Sequence, residues 1–205
     1  MNRKLFGLFL VFLIALPSLA YSKDYVVRRV IDGDTVVLES GETVRYIGVD
    51  APEMAKKKGG AEFFAREATR FNKRLVLLKK VRLEFDQEKK DAYGRLLAYV
   101  YVKGVFVNGE LVRQGYARAM IKPPNTRYKD MLISYQREAM EKDAGLWQEK
   151  KKDTERSYVG NKRAYTFHRP SCPSAAKIPP KNRIMFTTRT DPIKIGYTPC
   201  RRCKP

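Results

Sequence analysis

The 205-residue chain carries 42 Lys and Arg against 22 Asp and Glu, a formal net charge of +20, and 43% of its residues are apolar. The apolar share excludes a chain too polar to build a core, and it leaves room for a domain of about 100–150 residues plus something smaller. The charge imbalance points to a polyanionic partner, whether nucleic acid, an anionic membrane surface or an acidic polysaccharide, with plain solubility as the alternative.

Residues 1–22 read as a signal peptide. Arg3 and Lys4 precede an apolar run from Leu5 to Leu16, Pro17 breaks it, and small residues follow at Ser18, Ala20 and Ser22. The run is shorter than the roughly 20 residues a membrane helix needs, although an uncleaved anchor is the competing reading. No cysteine directly follows the apolar run, which argues against a lipid anchor. The expectation is a secreted or periplasmic protein, without stable membrane insertion after cleavage, working where calcium is plentiful and thiols tend to oxidise.

From Tyr25 the pattern becomes a strand meander. YVVRRVI, TVVLES and TVRYIGV are β-branched and aromatic, and turn signals at Asp32-Gly33-Asp34 and Ser40-Gly41-Glu42 separate them. Hairpin geometry is expected to bring Asp34 near Asp50 at the end of the third strand, although spacing alone does not prove it. The loop MAKKKGG is basic and contains glycine. Residues Ala61 to Leu78 read as a helix, with Phe64, Ala68, Phe71, Leu75 and Leu78 on one apolar stripe. VRLEFD and LLAYVYV are two more strands, with Gly94-Arg95 at the entry to the second. Five strands and a helix in this order fit a small closed β-barrel of the OB type. Two more helices follow, Val107–Gln114 with Asn108 as a possible cap, and Tyr128–Ala144 capped by Asn125 or Thr126. Trp147 is expected to pack on the barrel or a helix edge. The fold class is thus an OB-fold β-barrel with helices, α+β, over residues 23–148. A charged linker at 149–156 and a small, differently composed module at 157–205 complete it.

The stretch from Ile31 to Glu53 concentrates chemistry. Asp34 follows a glycine, Asp50 and Glu53 flank Ala51-Pro52, and Arg45 lies between them. Hydrolysis of a phosphodiester needs an activated water, neutralisation of the pentavalent charge, and orientation. A hard cation held by carboxylates, together with guanidinium groups, supplies all three. Asp34, Asp50, Glu53, Arg45 and Arg95 are the candidate groups.

The motifs IDGDT, VRYIGVDAPE, DAYGRLLAYVYV and VNGELVRQGYA closely resemble the staphylococcal (thermonuclease) nuclease family from about Tyr25 to Trp147. The resemblance implies an OB-fold barrel with three helices, a calcium-dependent hydrolase, DNA and RNA as substrates, and 3′-phosphate products. It also implies roles for residues. Asp34 and Asp50 would be calcium ligands through their side chains, and Ala51 through its carbonyl. Glu53 would be the general base, and Arg45 and Arg95 would bind phosphate and stabilise its transition state. Three departures touch substrate preference rather than catalysis. Ala51 replaces a threonine and Ala92 a lysine, while Ala119–Pro123 is short and lacks base-stacking tyrosines. Tyr93 matches a family tyrosine near the phosphate, or is simply a packed surface tyrosine. The competing reading is a nucleic-acid-binding OB-fold module without catalytic activity; the intact set of acids and arginines argues against it. A weaker third reading is an envelope scaffold whose zinc tail binds a protein. The protein is expected to be a monomer.

The single histidine and all three cysteines fall near the C-terminal end: His168, Cys172, Cys200 and Cys203. H-x3-C and C-x2-C offer two ligand pairs for a tetrahedral Cys3His zinc site, and a segment this small has too little apolar core to fold without a staple. A Cys200–Cys203 disulfide with Cys172 free is the alternative. FHRPSCP and GYTPCRRC also resemble the tails of some secreted nucleases and the zinc module of Ada-type DNA-repair proteins, which implies a structural zinc. Lys177, Lys181, Arg183, Arg201, Arg202 and Lys204 make the module basic, for phosphate contact or mere solvation.

Overall fold

The computed structural model describes residues 24–54, 60–149 and 152–205. The expected signal peptide and most of the MAKKKGG loop lie outside the described residues.

Strands β1 (Asp24–Val30), β2 (Thr35–Leu38) and β3 (Thr43–Tyr46) form the meander read from the sequence. The third expected strand does not run straight through. It breaks at Ile47-Gly48, where Gly48 takes a φ of +79°, and resumes as β4 (Val49–Asp50). The break turns Asp50 back toward Asp34. Helix α1 (Ala65–Val76) follows, then β5 (Lys80–Glu84) and β6 (Leu96–Val102), then the short β7 (Val105–Phe106) running into helix α2 (Val107–Arg113). Strand β8 (Arg118–Ala119) pairs with β4, and α3 (Lys129–Glu141) closes this part of the chain.

The main sheet runs β3-β2-β1-β5-β6-β7, and a parallel pairing of β3 with β6 closes a ring that leaves β7 outside it. Five strands thereby close into a barrel with no free edge along that seam, as expected for an OB-type fold. Val27, Val36, Leu38, Val44, Val81, Ala98 and Val100 fill it, and Leu111 and Leu132 cover it from α2 and α3.

Two details correct the expectations. Helix α1 is shorter than its apolar stripe. It ends at Val76, and Leu78 has left-handed backbone (φ +57°) and is 72% exposed. The stripe's aromatic members still pack, with Phe64 and Phe71 stacked on Tyr116 at centroid distances of 5.4 and 4.1 Å. Second, neither expected cap is one. Phe106 occupies the N-cap of α2 and Tyr128 that of α3, each without a side-chain cap bond. Asn108 is instead fully buried in the helix. It accepts from Val100 N–H (2.9 Å) and donates to the carbonyl of Ile47 (2.8 Å), so it ties α2 to β6 and to the break between β3 and β4.

The C-terminal module contains β9 (Tyr158–Asn161), β10 (Thr166–His168), α4 (Pro173–Ala176), β11 (Arg183–Phe186), α5 (Thr190–Lys194) and β12 (Thr198–Pro199), in a sheet of order β11-β9-β10-β12. Its apolar clusters are small. Tyr158, Phe167, Phe186, Ile193 and Tyr197 form one, and Met140 and Trp147 from the preceding helices pack onto it. Trp147 thus joins the module rather than the barrel. The buried Gln136 of α3 joins the two parts, accepting from Ala119 N–H (2.9 Å) and donating to the Ile193 carbonyl (2.6 Å). Gly196 approaches so closely that an added Cβ would lie 2.7 Å from Ile133 Cδ1.

Asn108→Ala removes the partners of two buried backbone groups, each costing about 1–3 kcal/mol when left unpaired. The expected loss is about 2–4 kcal/mol, read as a lower urea midpoint at unchanged slope.

Candidate functional site

Asp34 sits where the turn between β1 and β2 meets the backbone leaving β4. Gly33 makes this approach possible, since a Cβ there would lie 2.5 Å from that of Ala51 and 3.0 Å from that of Ala68. The turn is held from below. The buried Tyr46 hydroxyl donates to Asn72 Oδ1 (3.1 Å), and Asn72 Nδ2 donates to the Asp32 carbonyl (3.0 Å). Asp34 itself is buried, accepting from Ala51 N–H (2.7 Å) through one oxygen and from the Thr35 hydroxyl (3.0 Å) through the other.

Arg45 organises the acids. Its Nη1 donates to the carbonyls of Tyr46 (3.0 Å) and Val49 (2.8 Å), which fixes the guanidinium across the β3–β4 break. Its Nη2 lies 3.1 Å from Asp34 and 3.3 Å from Asp50, so the two carboxylates face a common point. Burial pushes the Asp34 carboxyl up to about 7, against the pull of Arg45 and the Ala51 N–H and with the help of Asp32 and Asp50.

Arg95 enters from the other side of the barrel seam. β3 pairs Val44 with Leu96 and Arg45 with Leu97, which puts the residue before β6 alongside the arginine of β3. Arg45, Glu53, Tyr93 and Arg95 line one cleft of about 580 Å³. Glu53, half-buried with its backbone N–H on Glu62 (3.0 Å), also lines a second cleft of about 480 Å³ together with Asp50. All the residues expected at this site therefore fall around Arg45 or on the walls of these adjoining clefts.

Two residues escaped the sequence reading. Asp91 accepts from the backbone N–H groups of Tyr93 (2.9 Å) and Arg95 (3.0 Å) and from Arg95 Nε (2.7 Å), so it shapes the DAYGR loop and aims its arginine. Burial works against the ionised form, but these bonds and the Arg95 charge hold its carboxyl below the usual range. The signal was available: an acid followed by a turn glycine and an arginine is the pattern of a side-chain-closed turn. The second is Arg201. The sequence offers it, with its basic neighbours, for phosphate contact or solvation, but not for the contact it makes: its Nη2 lies 3.0 Å from Asp50, 151 positions away in sequence. No local pattern encodes that contact.

The C-terminal cluster forms around β10. His168 ends that strand, and β12 runs parallel beside it, so that Cys200 N–H donates to the Phe167 carbonyl (2.9 Å). Cys172 opens α4. One donor atom from each of His168, Cys172, Cys200 and Cys203 lies within 4.8 Å of every other, and all three cysteines are free thiols. The donor set fits a metal ion. His168 Nδ1 is buried without a hydrogen-bond partner, while Nε2 faces the Thr166 hydroxyl at 3.3 Å. Burial also lowers the His168 pKa, favouring the neutral imidazole that binds metals. Arg169 N–H donates to Cys203 Sγ (3.4 Å), the kind of supporting bond that steadies a thiolate ligand.

Comparison with known proteins agrees with both parts. Residues 43–149 match the family model described as staphylococcal nuclease homologue, and residues 145–205 match the metal-binding domain of Ada. The chain is 40% identical over 129 residues to the thermonuclease of Staphylococcus intermedius, covering 62% of this chain and 77% of the relative. It is 38% identical over 133 residues to that of Staphylococcus hyicus, covering 63% and 79%. To endonuclease YncB of Bacillus subtilis it is 41% identical over 137 residues, covering 64% and 65%. A barrel of this topology, a family match across half of its length and relatives of this identity establish the chain as a member of the staphylococcal nuclease family, a hydrolase of phosphodiester bonds with a metal-binding module at its C-terminal end.

Proposed function

We propose that the chain is an exported, calcium-dependent nuclease that cleaves DNA and RNA to 3′-phosphate products, acts as a monomer in a periplasm or outside the cell, and carries a structural zinc. The observation that carries this reading is the convergence of Asp34 and Asp50 on one guanidinium, with Glu53 and Arg95 on the walls of the adjoining clefts.

Asp34 and Asp50, with the carbonyl of Ala51, would hold calcium; hard oxygen donors of this kind suit that ion. Bound there, it supplies charge to neutralise the phosphate oxygens. Glu53 orients the attacking water and takes its proton. Arg45 and Arg95 hold the phosphate and offset the extra negative charge of the pentavalent transition state. Asp91 holds Arg95 ready, which lowers the cost of positioning it at the moment of reaction. His168, Cys172, Cys200 and Cys203 would hold zinc with all four positions filled by protein, a structural arrangement that ties the small C-terminal sheet together.

In the presence of calcium the protein is expected to degrade DNA, and EGTA to stop it. Glu53→Gln and Arg95→Ala should each lower kcat/KM by about 10²–10⁴-fold. Undiminished cleavage by both variants would remove these residues from the mechanism.

The raised Asp34 pKa sets a pH dependence. At pH 6 the carboxyl is largely protonated and a proton must leave before calcium binds, so apparent calcium affinity should fall by about tenfold per unit below pH 7 and level off above it. Calcium titrations followed by tyrosine or tryptophan fluorescence check this. In calcium-free protein the same group binds a proton in the folded state that the unfolded chain has already released between about pH 4 and 7. Its contribution to stability therefore falls as pH rises through that window, and Asp34→Asn should remove that slope.

Metal analysis of the purified chain should find zinc in a one-to-one ratio, and Cys200→Ser with Cys203→Ser should abolish it. A metal-free wild-type protein that unfolds no earlier than the loaded one would count against a structural zinc.

A further inference from the structure

The two clefts beside the candidate site have one residue of the C-terminal module in common. Arg201 lines both the cleft of Arg45 and Arg95 and that of Asp50 and Arg118, and so stands on the rim between them. It touches Asp50 Oδ1 at 3.0 Å, the same oxygen that Arg45 approaches, yet its side chain is 74% exposed. Its remaining donors are therefore open to the clefts.

The contact with Asp50 is not what docks the module. Exposed ion pairs contribute little net stability. Buried Gln136, the close approach of Gly196 to Ile133, and the packing of Met140 and Trp147 hold the two parts together. Arg201 is nonetheless rigidly mounted. It lies between two of the cluster cysteines, with Cys200 N–H on the Phe167 carbonyl (2.9 Å), Lys204 N–H on the Cys200 carbonyl (2.9 Å) and Cys203 held by Arg169. Beyond the rim, the second cleft adds Arg118, Arg189 and Lys204 beside the acids Glu62 and Glu149, with Phe63 and Pro199 as apolar surface. Burial lowers the pKa of both Arg118 and Arg189, and Arg118 repels Arg189. Arg118 lies in the field of Asp50, Glu62 and Glu149, so the exposed Arg201 is the guanidinium placed to meet an anion beside the reacting centre.

We propose that Arg201 is a substrate-binding arginine of the nuclease site, contributed by the metal-binding module, and that it grips a phosphodiester of a strand running from one cleft into the other. The module is thus one wall of the substrate channel rather than a separate appendage. This rests on placing the chemistry at Asp34, Asp50 and Glu53.

The test uses the full-length mature protein, a fluorescent single-stranded DNA oligonucleotide and calcium. Arg201→Ala should lower kcat/KM by about 10–100-fold, the scale of a lost charge-assisted hydrogen bond. In a Glu53→Gln background it should weaken oligonucleotide binding by about 5–20-fold, and the slope of log affinity against log salt should become shallower by about 0.7, the signature of one lost phosphate contact. Thermal midpoint and zinc content should stay at wild-type values, and Arg201→Lys should restore the salt slope while recovering only part of the rate. Unchanged cleavage by Arg201→Ala, with Glu53→Gln inactive, overturns the proposal alone. Faster cleavage also overturns it, by showing Arg201 to be a clamp on Asp50. A loss of affinity without a change in salt slope assigns the arginine to structure and equally defeats the idea. Wild-type activity in Glu53→Gln would bring down the site assignment and this inference with it.

Discussion

Where Arg45 pairs with Leu97 and Val44 with Leu96, two strands far apart in sequence lie side by side and the meander becomes a closed barrel. Most of the site depends on that seam. It brings the DAYGR loop next to the β3–β4 break, and it leaves Arg45 with two backbone carbonyls to hold its guanidinium in place. Arg45 then acts as a hub, meeting Asp34 from the first turn and Asp50 from β4. Two acids at such short range would repel each other strongly without it. The interior that supports the seam is mostly valine, alanine and leucine, with a few buried polar residues at the places where the backbone bends. Asn72 and Asn108 are of this kind: the first satisfies the Asp32 carbonyl, the second the Val100 N–H and the Ile47 carbonyl.

The C-terminal module follows a different economy. Its apolar clusters are small, and one of them includes Cys172, with Cys200 and Cys203 packed against it. A sheet of this size gains little from burial alone. It gathers four donor groups that could hold a metal around one point and shares Met140 and Trp147 with the preceding helices. The buried amide of Gln136, bonded on both sides of the junction, fixes the register between the parts in a way that apolar packing alone would not.

Much of this was legible in the amino-acid order, and the exceptions have physical reasons. Turn glycines and alternating β-branched residues mark the strands, and the acids beside Gly33 and Pro52 stand out because backbone geometry there is constrained. The same is true of the cysteine and histidine spacing. The apolar stripe runs past the real end of α1; Leu78 has the right spacing but itself takes a left-handed backbone that no local pattern signals. Asn108 looked like a cap because asparagine favours helix starts. Its actual role depends on carbonyl and amide groups from β6 and from the β3–β4 break, which no local rule supplies. Arg201 is the extreme case. It is one arginine among many in a basic segment, and its meeting with Asp50 is a property of how two folded parts dock.

The span of that meeting also bears on how the protein comes into being. Asp34, Asp50 and Glu53 leave the ribosome early, Arg95 emerges later, and Arg201 follows Asp50 by 151 positions. Chains are made from the N-terminal end, and contacts this distant form only after the intervening loops have closed. A growing or half-folded chain therefore carries the acids with Arg45 but without Arg95 and Arg201. The two clefts are therefore complete, with Arg201 on the rim between them, only once the C-terminal module has folded and docked on the barrel.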